Sequence, residues 1–155
     1  DNQAEEAAKF YVSVFNGRPG AGNSKILEVS RYGDAGPGEP GSVMVVRFML
    51  DGQEFNALNG GDEGFRFNES LSFVIDCEDQ DEVDHFWRAL TADGGQEGPC
   101  GWLKDKYGLS WQVTPRELID LLRDPDPGRA QRAMAAMLQM KKIDIGALRR
   151  AAGAA

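Results

Sequence analysis

The side chains best suited to nucleophilic or acid–base chemistry in this sequence are one histidine and two cysteines, His85, Cys77 and Cys100. A nucleophilic cysteine or serine needs a histidine beside it as its base. His85 falls outside the apolar stripe of its predicted helix, so we expect it to face solvent rather than a thiol. Cys100 stands between a proline and a glycine at a strand edge, where we predict a structural role. The sequence therefore does not favour nucleophilic catalysis.

Acidic side chains are numerous, but most fall at turns and helix starts, where they cap or solvate the backbone. These are Asp51, Asp79, Asp81, Glu82 and Asp93. Asp105 differs, because it directly precedes the turn of a predicted hairpin. We predict that Asp105 forms this turn through its side chain, and a catalytic role stays open as the alternative.

Two carboxamides occupy matching positions in a faint internal repeat. The runs GQEFN (residues 52–56) and GLSWQ (108–112) each lead from a glycine turn into an aromatic followed by a carboxamide, Asn56 or Gln112. Upstream of each run, apolar residues recur at helical spacing, first in residues 8–15 and again in 83–90. A unit of helix plus hairpin cannot bury its apolar face alone, so the two copies must pack together.

The remaining pattern predicts the elements of each copy. The first helix spans residues 4–16, with Asp1 and Asn2 as caps, and a strand follows at 24–32. The glycine- and proline-rich segment 33–41 is expected to be a mobile loop. The other predicted elements are a hairpin (43–50 and 54–58), a strand (70–75), a helix ending at 93–95, a second hairpin (101–105 and 109–113) and two helical pieces after Pro115.

These elements divide the chain into a first module, residues 1–64, a second module, 65–115, and a helical C-terminal extension, 116–155, all in one compact domain. Asp76 follows the strand that opens the second module, and its counterpart in the first module is Asp1. The first module is therefore expected to lack its leading strand. We favour a natural protein that starts earlier over a partner chain that supplies this strand.

Composition and charge exclude several classes of function. The net charge of −8 argues against a nucleic-acid surface, which needs a basic stripe. No apolar run is long enough to span a membrane, and no secretory leader is visible. Two cysteines are too few for a disulfide framework, so the cytoplasm is the default compartment.

The tail of the chain differs from the rest in charge. Residues 1–115 hold 20 acidic and nine basic side chains, whereas residues 116–155 hold five and eight. This mildly basic extension lies against the acidic body or forms a solvated surface. Its apolar side chains Met134, Met137, Leu138 and Met140 pack either on the chain's own core or across a partner.

Several runs resemble the PhnB-like family of the vicinal-oxygen-chelate superfamily, which includes glyoxalases and bleomycin-resistance proteins. They are EEAAKFYVSVF (residues 5–15), SFVIDC (72–77), MKKID (140–144) and, most specifically, CGWLKDKYGLSWQV (100–113). Many such proteins carry the label 3-demethylubiquinone 3-methyltransferase. The resemblance implies an α+β fold in which duplicated βαβββ modules form a cupped mixed sheet around a pocket, usually in a homodimer.

The resemblance also implies where a metal would bind. Metal-using relatives place ligands on the first and last strand of each module, and the matching positions here are Asn56, Ser70 and Gln112. These side chains offer only neutral oxygens, whereas a divalent ion favours carboxylate or imidazole ligands. We therefore expect no metal and no cofactor.

The methyltransferase label fits the sequence poorly. Methyl donors are usually held by a glycine-rich turn between a strand and a helix, by the same logic as dinucleotides. The glycine-rich residues 60–64 precede a strand instead, which predicts a linker.

Strand alternation separates the aromatic side chains into two sets. Neighbouring residues point to opposite faces, so if Asn56 and Gln112 line a pocket, Phe55 and Trp111 pack beneath the helices. Trp102 is then left as a candidate pocket wall.

The predicted function is binding of a small organic molecule, without catalysis, at Asn56, Ser70, Gln112 and Trp102. The alternative is a metal-dependent lyase, isomerase or dioxygenase, and a methyltransferase is the third possibility.

Overall fold

The computed structural model describes residues 2–20 and 22–153, and the chain divides into two compact units, the first ending at Arg66 and the second beginning at Phe67. The described residues form five α-helices and seven β-strands in two sheets, which confirms the predicted α+β class. The predicted cap at Asp1 lies outside them. That both modules share one compact domain and one cupped sheet stays a prediction.

The first unit consists of one helix and an antiparallel sheet of three strands in chain order. Apolar side chains of the helix, Tyr11 and Phe15 among them, are buried against Val46 and Phe48 of the sheet. Within the described residues the third strand pairs only with the second, and the missing leading strand stays a prediction. The elements are α1 (Ala4–Asn16), β1 (Lys25–Arg31), β2 (Val43–Leu50) and β3 (Gln53–Leu58).

The start of α1 is capped by a distant asparagine, so the prediction of Asn2 as its cap was wrong. The backbone N–H of Ala4 donates to Oδ1 of Asn59 at 3.1 Å, across 55 residues of sequence. Nδ2 of Asn59 donates to the carbonyl oxygen of Val43, and the Tyr32 hydroxyl donates to the carbonyl oxygen of Asn59. The end of β3 thus fixes the start of the helix that packs on its sheet.

The segment from Gly33 to Gly41 has no helix or strand, as predicted. It folds back on Tyr32, whose N–H donates to the carbonyl oxygen of Ser42 and whose carbonyl oxygen accepts from the N–H of Gly41. A Cβ atom at Gly38 would lie 2.3 Å from the Tyr32 ring, so only glycine allows this close approach. The mobility of this loop stays a prediction.

The second unit contains a complete βαβββ module, as predicted. Its strand order is β4-β7-β6-β5, with β4 parallel to β7 and the other pairs antiparallel. The two-residue strand β5 was not located from the sequence. The elements are β4 (Phe73–Cys77), α2 (Gln80–Thr91), β5 (Gln96–Glu97), β6 (Trp102–Lys104) and β7 (Ser110–Pro115).

Helix α2 packs on this sheet through the predicted stripe of Val83, Phe86, Trp87 and Leu90, all of which are buried. His85 lies beside the stripe and is half-buried, whereas we expected it to face solvent. Its ring stands edge-on to the ring of Phe86, with centroids 5.2 Å apart.

The extension forms three helices, α3 (Arg116–Leu122), α4 (Pro127–Met137) and α5 (Ile145–Gly153), of which α5 was not predicted as a separate helix. They enclose a small core of their own, against which Met137 and Met140 pack. The N–H of Cys100 donates to the carbonyl oxygen of Met140 at 2.8 Å, and that of Gly101 to Lys141 at 2.7 Å. The extension thus packs on its own unit, and a dimer contact stays a prediction.

Gly101 has to be glycine at this junction. Its φ is +83°, and a Cβ atom would lie 2.9 Å from the carbonyl oxygen of Val113 and 3.2 Å from the Ile143 side chain.

Across the described part of the chain, no helix combines the length and apolar character needed to cross a membrane.

Candidate functional site

The turn of the second hairpin is built around the buried carboxylate of Asp105. Its Oδ1 accepts from the N–H groups of Tyr107 (2.8 Å) and Leu109 (3.1 Å). Its Oδ2 accepts from the indole Nε1 of Trp111 at 2.8 Å. These bonds confirm the predicted turn-forming role, and they hold Trp111 against the α2 side of the sheet.

Holding Trp111 on the α2 side turns Gln112 to the opposite face, because side chains alternate along a strand. Trp111, Val113 and Leu103 are buried beneath α2, whereas Gln112 and its cross-strand partner Trp102 are half-buried on the other face. The structure therefore brings together two of the four predicted site residues, Gln112 and Trp102.

Ser70 does not take the place that the resemblance implies. Strand β4 begins at Phe73, so Ser70 lies in the preceding turn, where its Oγ donates to Oδ1 of Asn68 at 2.5 Å. The serine that meets the site is Ser72, whose Oγ accepts from Nε2 of Gln112 at 3.0 Å. The residue that reaches Gln112 is thus two positions later in the sequence than the resemblance implies.

Asn56 belongs to the first unit, where it is exposed on the face opposite α1. Phe55 lies on the α1 side and stacks on Phe48 with centroids 5.5 Å apart, which confirms the predicted alternation. The cross-strand partner of Asn56 is Arg47. Arg47 donates to Glu28 at 2.9 Å and to Glu54 at 3.3 Å, and these bonds raise the pKa of the Arg47 guanidinium above its ordinary value.

A pocket of about 390 Å³ lies in the second unit beside Trp102. Of the predicted site residues only Trp102 lines it, and Gln112 and Ser70 lie outside its walls. Gln96, Trp102, Lys104 and Ser110 contribute from the face opposite α2, as their cross-strand pairing requires. The lining residues that matter for its chemistry are Glu69, Glu97, Cys100, Trp102, Lys104 and Ser110.

Ser110 is the least expected residue of this pocket. Its side chain is 1% exposed, and within the described residues its Oγ has no hydrogen-bond partner. A buried hydroxyl without a partner is costly, and few such groups persist in folded proteins. Sequence analysis did not select Ser110, although Ser110 lies two residues before Gln112 on β7 and therefore shares its face of the sheet.

The charged groups of the pocket are engaged by protein partners. Lys104 forms an ion pair with Glu69, and this bond holds the pKa of the Glu69 carboxyl below its ordinary value. Glu97 accepts a hydrogen bond from Nε1 of Trp87 at 2.8 Å, which similarly lowers the pKa of Glu97. Nζ of Lys141 lies 3.6 Å from the second oxygen of Glu97.

The two thiols differ in their surroundings. Cys77 is fully buried on the α2 side of β4, where its Sγ lies 3.7 Å from the carbonyl oxygen of Ile75. Cys100 is half-buried and lines the pocket, on backbone with a φ of +56°. Both are free thiols.

The residues present do not fit a glyoxalase-type metal. Within residues 2–20 and 22–153, no three histidine, cysteine, aspartate or glutamate side chains stand close enough to hold an ion. Asn56, Ser70 and Gln112 are neutral, and Ser70 and Gln112 bond to other side chains.

A methyl donor held at a strand-to-helix turn is also a poor fit. The turn between β4 and α2 has no glycine, and its N–H groups are occupied by a capping box. Oδ1 of Asp79 accepts from the N–H of Glu82 at 3.0 Å, and Oε2 of Glu82 accepts from the N–H of Glu78 at 2.8 Å. This confirms the predicted capping role of Asp79 and Glu82.

Comparison with known proteins identifies the family. The model of the family described as 3-demethylubiquinone-9 3-methyltransferase matches residues 1–114. A solved Bacillus cereus PhnB protein with that label is 36% identical, over 73% of this chain and 91% of its own, with a TM-score of 0.61. The chain belongs to this PhnB-like family. The predicted family is thereby confirmed.

A second solved structure supports the PhnB-like fold alone. It is a Pseudomonas aeruginosa protein, 16% identical over 74% of this chain and 90% of its own, with a TM-score of 0.56. No curated protein matches this PhnB-like chain.

Proposed function

We propose that this PhnB-like protein binds a small organic molecule in the pocket beside Trp102, with no metal and no catalytic side chain. The observation that carries the proposal is a half-buried indole on the wall of a pocket of about 390 Å³. Ligand pockets of this size are typically apolar, with a few polar groups that fix orientation. The same proposal includes membership of the superfamily that contains the glyoxalases. It also includes a cytoplasmic homodimer.

The polar side of the site is assigned to neutral groups. Gln112 shares a sheet face with Trp102 and presents its amide beside Ser72. Asn56 in the first unit and Ser70 in the second stay proposed ligand-binding residues, each able to form a neutral hydrogen bond. Neutral amides and hydroxyls orient a ligand by hydrogen bonds but supply neither a strong base nor a favoured metal ligand, which favours binding over chemistry.

Methyl transfer is the second candidate, because the family carries that label. It requires a donor site elsewhere than the β4–α2 turn, where the capping box occupies the backbone N–H groups. A metal-dependent lyase, isomerase or dioxygenase requires ligands other than Asn56, Ser70 and Gln112.

Native mass spectrometry of the purified protein tests the proposal directly. We expect a metal-free dimer, with a small organic molecule retained by part of the population. A stoichiometric divalent ion would overturn the metal-free site and put the metal-dependent enzyme in its place. S-adenosylmethionine bound at one equivalent per chain would support the methyltransferase.

Two substitutions test the assigned residues. Gln112→Ala is expected to weaken binding of 2-naphthol, used as a probe, by about fivefold, the value of one hydrogen bond. Asn56→Ala is expected to have a smaller effect. Gln131→Ala, an exposed position on α4, is the matched control. If both Asn56→Ala and Gln112→Ala bind the probe as the wild type does, with unchanged circular dichroism, the site assignment is wrong.

A further inference from the structure

We infer that the ligand is an uncharged aromatic molecule with one hydroxyl-type group, which forms a hydrogen bond with Ser110. This inference rests on the proposed binding function and names the class of molecule that the pocket selects. Three features of the pocket carry it: the indole of Trp102, the hydroxyl of Ser110 and the arrangement of charges around them.

The indole supplies the aromatic preference. Trp102 is half-buried and projects from the sheet face opposite α2, so part of its ring stays available to a ligand. Aromatic rings pair with an indole in offset-stacked or edge-to-face geometry, with a gain beyond simple burial of area. A flat aromatic body therefore uses this wall better than an aliphatic one.

Ser110 supplies the demand for one polar group. Its Oγ is buried without a partner, and a hydroxyl can both donate and accept. The residue opposite Ser110 on β6 is Lys104, which lies on the same face and reaches to Glu69. The Glu69 side chain is 62% exposed, so the ion pair costs little to open. When Lys104 moves aside, a ligand hydroxyl can take the place next to Ser110.

The charges exclude ions from the pocket. Lys104 is paired with Glu69 and Lys141 with Glu97, so an anion finds no lysine free to pair with it. The lowered pKa values of both carboxyls keep them ionised at neutral pH. A cation fares no better, because Glu69 is engaged by Lys104 and Glu97 by Trp87 and Lys141. Burying an ion without a free counter-charge is costly.

Three probes with one scaffold test the class: 2-naphthol, naphthalene and 2-naphthoate, at neutral pH. Calorimetry gives their affinities, and protection of Cys100 from N-ethylmaleimide reports whether they occupy this pocket. Cys100 lines the pocket, whereas Cys77 is fully buried and serves as the internal reference. We expect 2-naphthol to bind and protect Cys100, naphthalene to bind about fivefold more weakly, and 2-naphthoate at least about tenfold more weakly.

The hydrogen bond is tested with Ser110→Ala. The Ser110 hydroxyl has no partner to lose, so we expect the variant to fold as the wild type does. In this variant 2-naphthol and naphthalene should bind equally well. Ser13→Ala, an exposed position on α1, is the matched control and should keep the fivefold preference.

The failures separate the two proposals. If no probe binds or protects Cys100, the pocket is not a ligand site and the proposed function falls with the inference. If 2-naphthoate binds as well as 2-naphthol, the uncharged class is wrong while the binding function stands. A fivefold preference that survives in Ser110→Ala would overturn the role of Ser110 alone.

Discussion

In the first unit the carboxamide Asn56 lies across from Arg47, and in the second the carboxamide Gln112 lies across from Trp102. The guanidinium of Arg47 donates to Glu28 at 2.9 Å and to Glu54 at 3.3 Å. Trp102 has no charge to satisfy and stands on the wall of a pocket. The same position of a repeated scaffold thus carries a paired charge in one copy and an apolar ring in the other.

This difference shows how two copies of one structural unit can present different chemistry at equivalent positions. A ligand on the first face would have to compete with the ion pairs of Arg47, which the protein already makes. On the second face an indole and a hydroxyl without a partner are left for an incoming molecule. The proposed function therefore places the ligand on the second face, where the residue opposite the carboxamide is uncharged.

The hairpin turns of the two units differ in the same direction. Asp51 in the first turn is exposed and pairs with Arg18 at 2.7 Å. Asp105 in the second turn is buried and accepts from two backbone N–H groups and from Trp111. The second turn is therefore the more rigid support, and it carries the strand that presents Gln112 and Ser110.

Matched Asp→Asn substitutions in the two turns should give the largest contrast in stability. Asp105→Asn places an amide N–H group against a buried donor, the Trp111 indole, and should lower the free energy of unfolding by about 2–3 kcal/mol. Asp51→Asn removes only a partly exposed ion pair, which is worth about 1 kcal/mol or less. Urea denaturation checks this, followed by circular dichroism and tryptophan fluorescence. Equal losses in the two variants would contradict the difference between the turns.

Tryptophan fluorescence makes this experiment specific to one unit. All three tryptophans, Trp87, Trp102 and Trp111, lie in the second unit. Asp105→Asn should therefore shift the fluorescence transition, and the extent to which Asp51→Asn shifts it as well shows how far the two units unfold together.

The next contrast concerns binding at the two cross-strand positions. Trp102→Ala should weaken binding of 2-naphthol at least about tenfold, or about 1.4 kcal/mol, because the ring that contacts the ligand is lost. Arg47→Ala removes the corresponding residue of the first unit and should leave the affinity unchanged. Calorimetry measures both, and Trp102→Phe, which keeps an aromatic ring, should restore most of the affinity. A larger loss from Arg47→Ala than from Trp102→Ala would reverse the roles of the two faces.

Short-range signals in the sequence predicted much of this fold. The bounds of α1 and β2, the burial of the α2 stripe and the turn role of Asp105 depend on residues within a few positions of one another. The alternation that separates Trp111 from Gln112 is equally local. These features follow from helical and strand periodicity and from turn chemistry, which neighbouring residues determine.

Features that depend on distant partners could not be predicted in this way. Asn59 caps a helix that begins 55 residues earlier, and Ser72 rather than Ser70 meets Gln112 because of the β4–β7 register. The burial of Ser110, which lies opposite Lys104 of another strand, could not be read from its neighbours in sequence. The backbone hydrogen bonds that join residues 140–141 to Cys100 and Gly101 likewise connect distant parts of the sequence. The candidate site consists largely of such features, which is why Trp102 was the one predicted residue found on the pocket wall.

The smallest contrast concerns two glutamates whose pKa values are lowered by different donors. The pKa of Glu97 lies below its ordinary value of 4.5, chiefly because the neutral Trp87 indole donates to it. That of Glu5 in the first unit is lowered chiefly by a hydrogen bond from the charged Lys9. In both cases the charged carboxylate stabilises the folded state above the unfolded pKa, and the contribution is lost as pH falls through the folded pKa.

Glu97→Gln and Glu5→Gln should therefore be less stable than the wild type at neutral pH, and both differences should shrink below about pH 4.5. Salt then distinguishes them. At about 1 M salt, screening weakens the exposed Lys9–Glu5 pair, so the Glu5→Gln difference should largely vanish. The Glu97→Gln difference should persist, because a bond from a neutral indole is not an ion pair. Melting temperatures across pH and salt measure both, and equal salt sensitivity would mean that Lys141, rather than Trp87, dominates at Glu97.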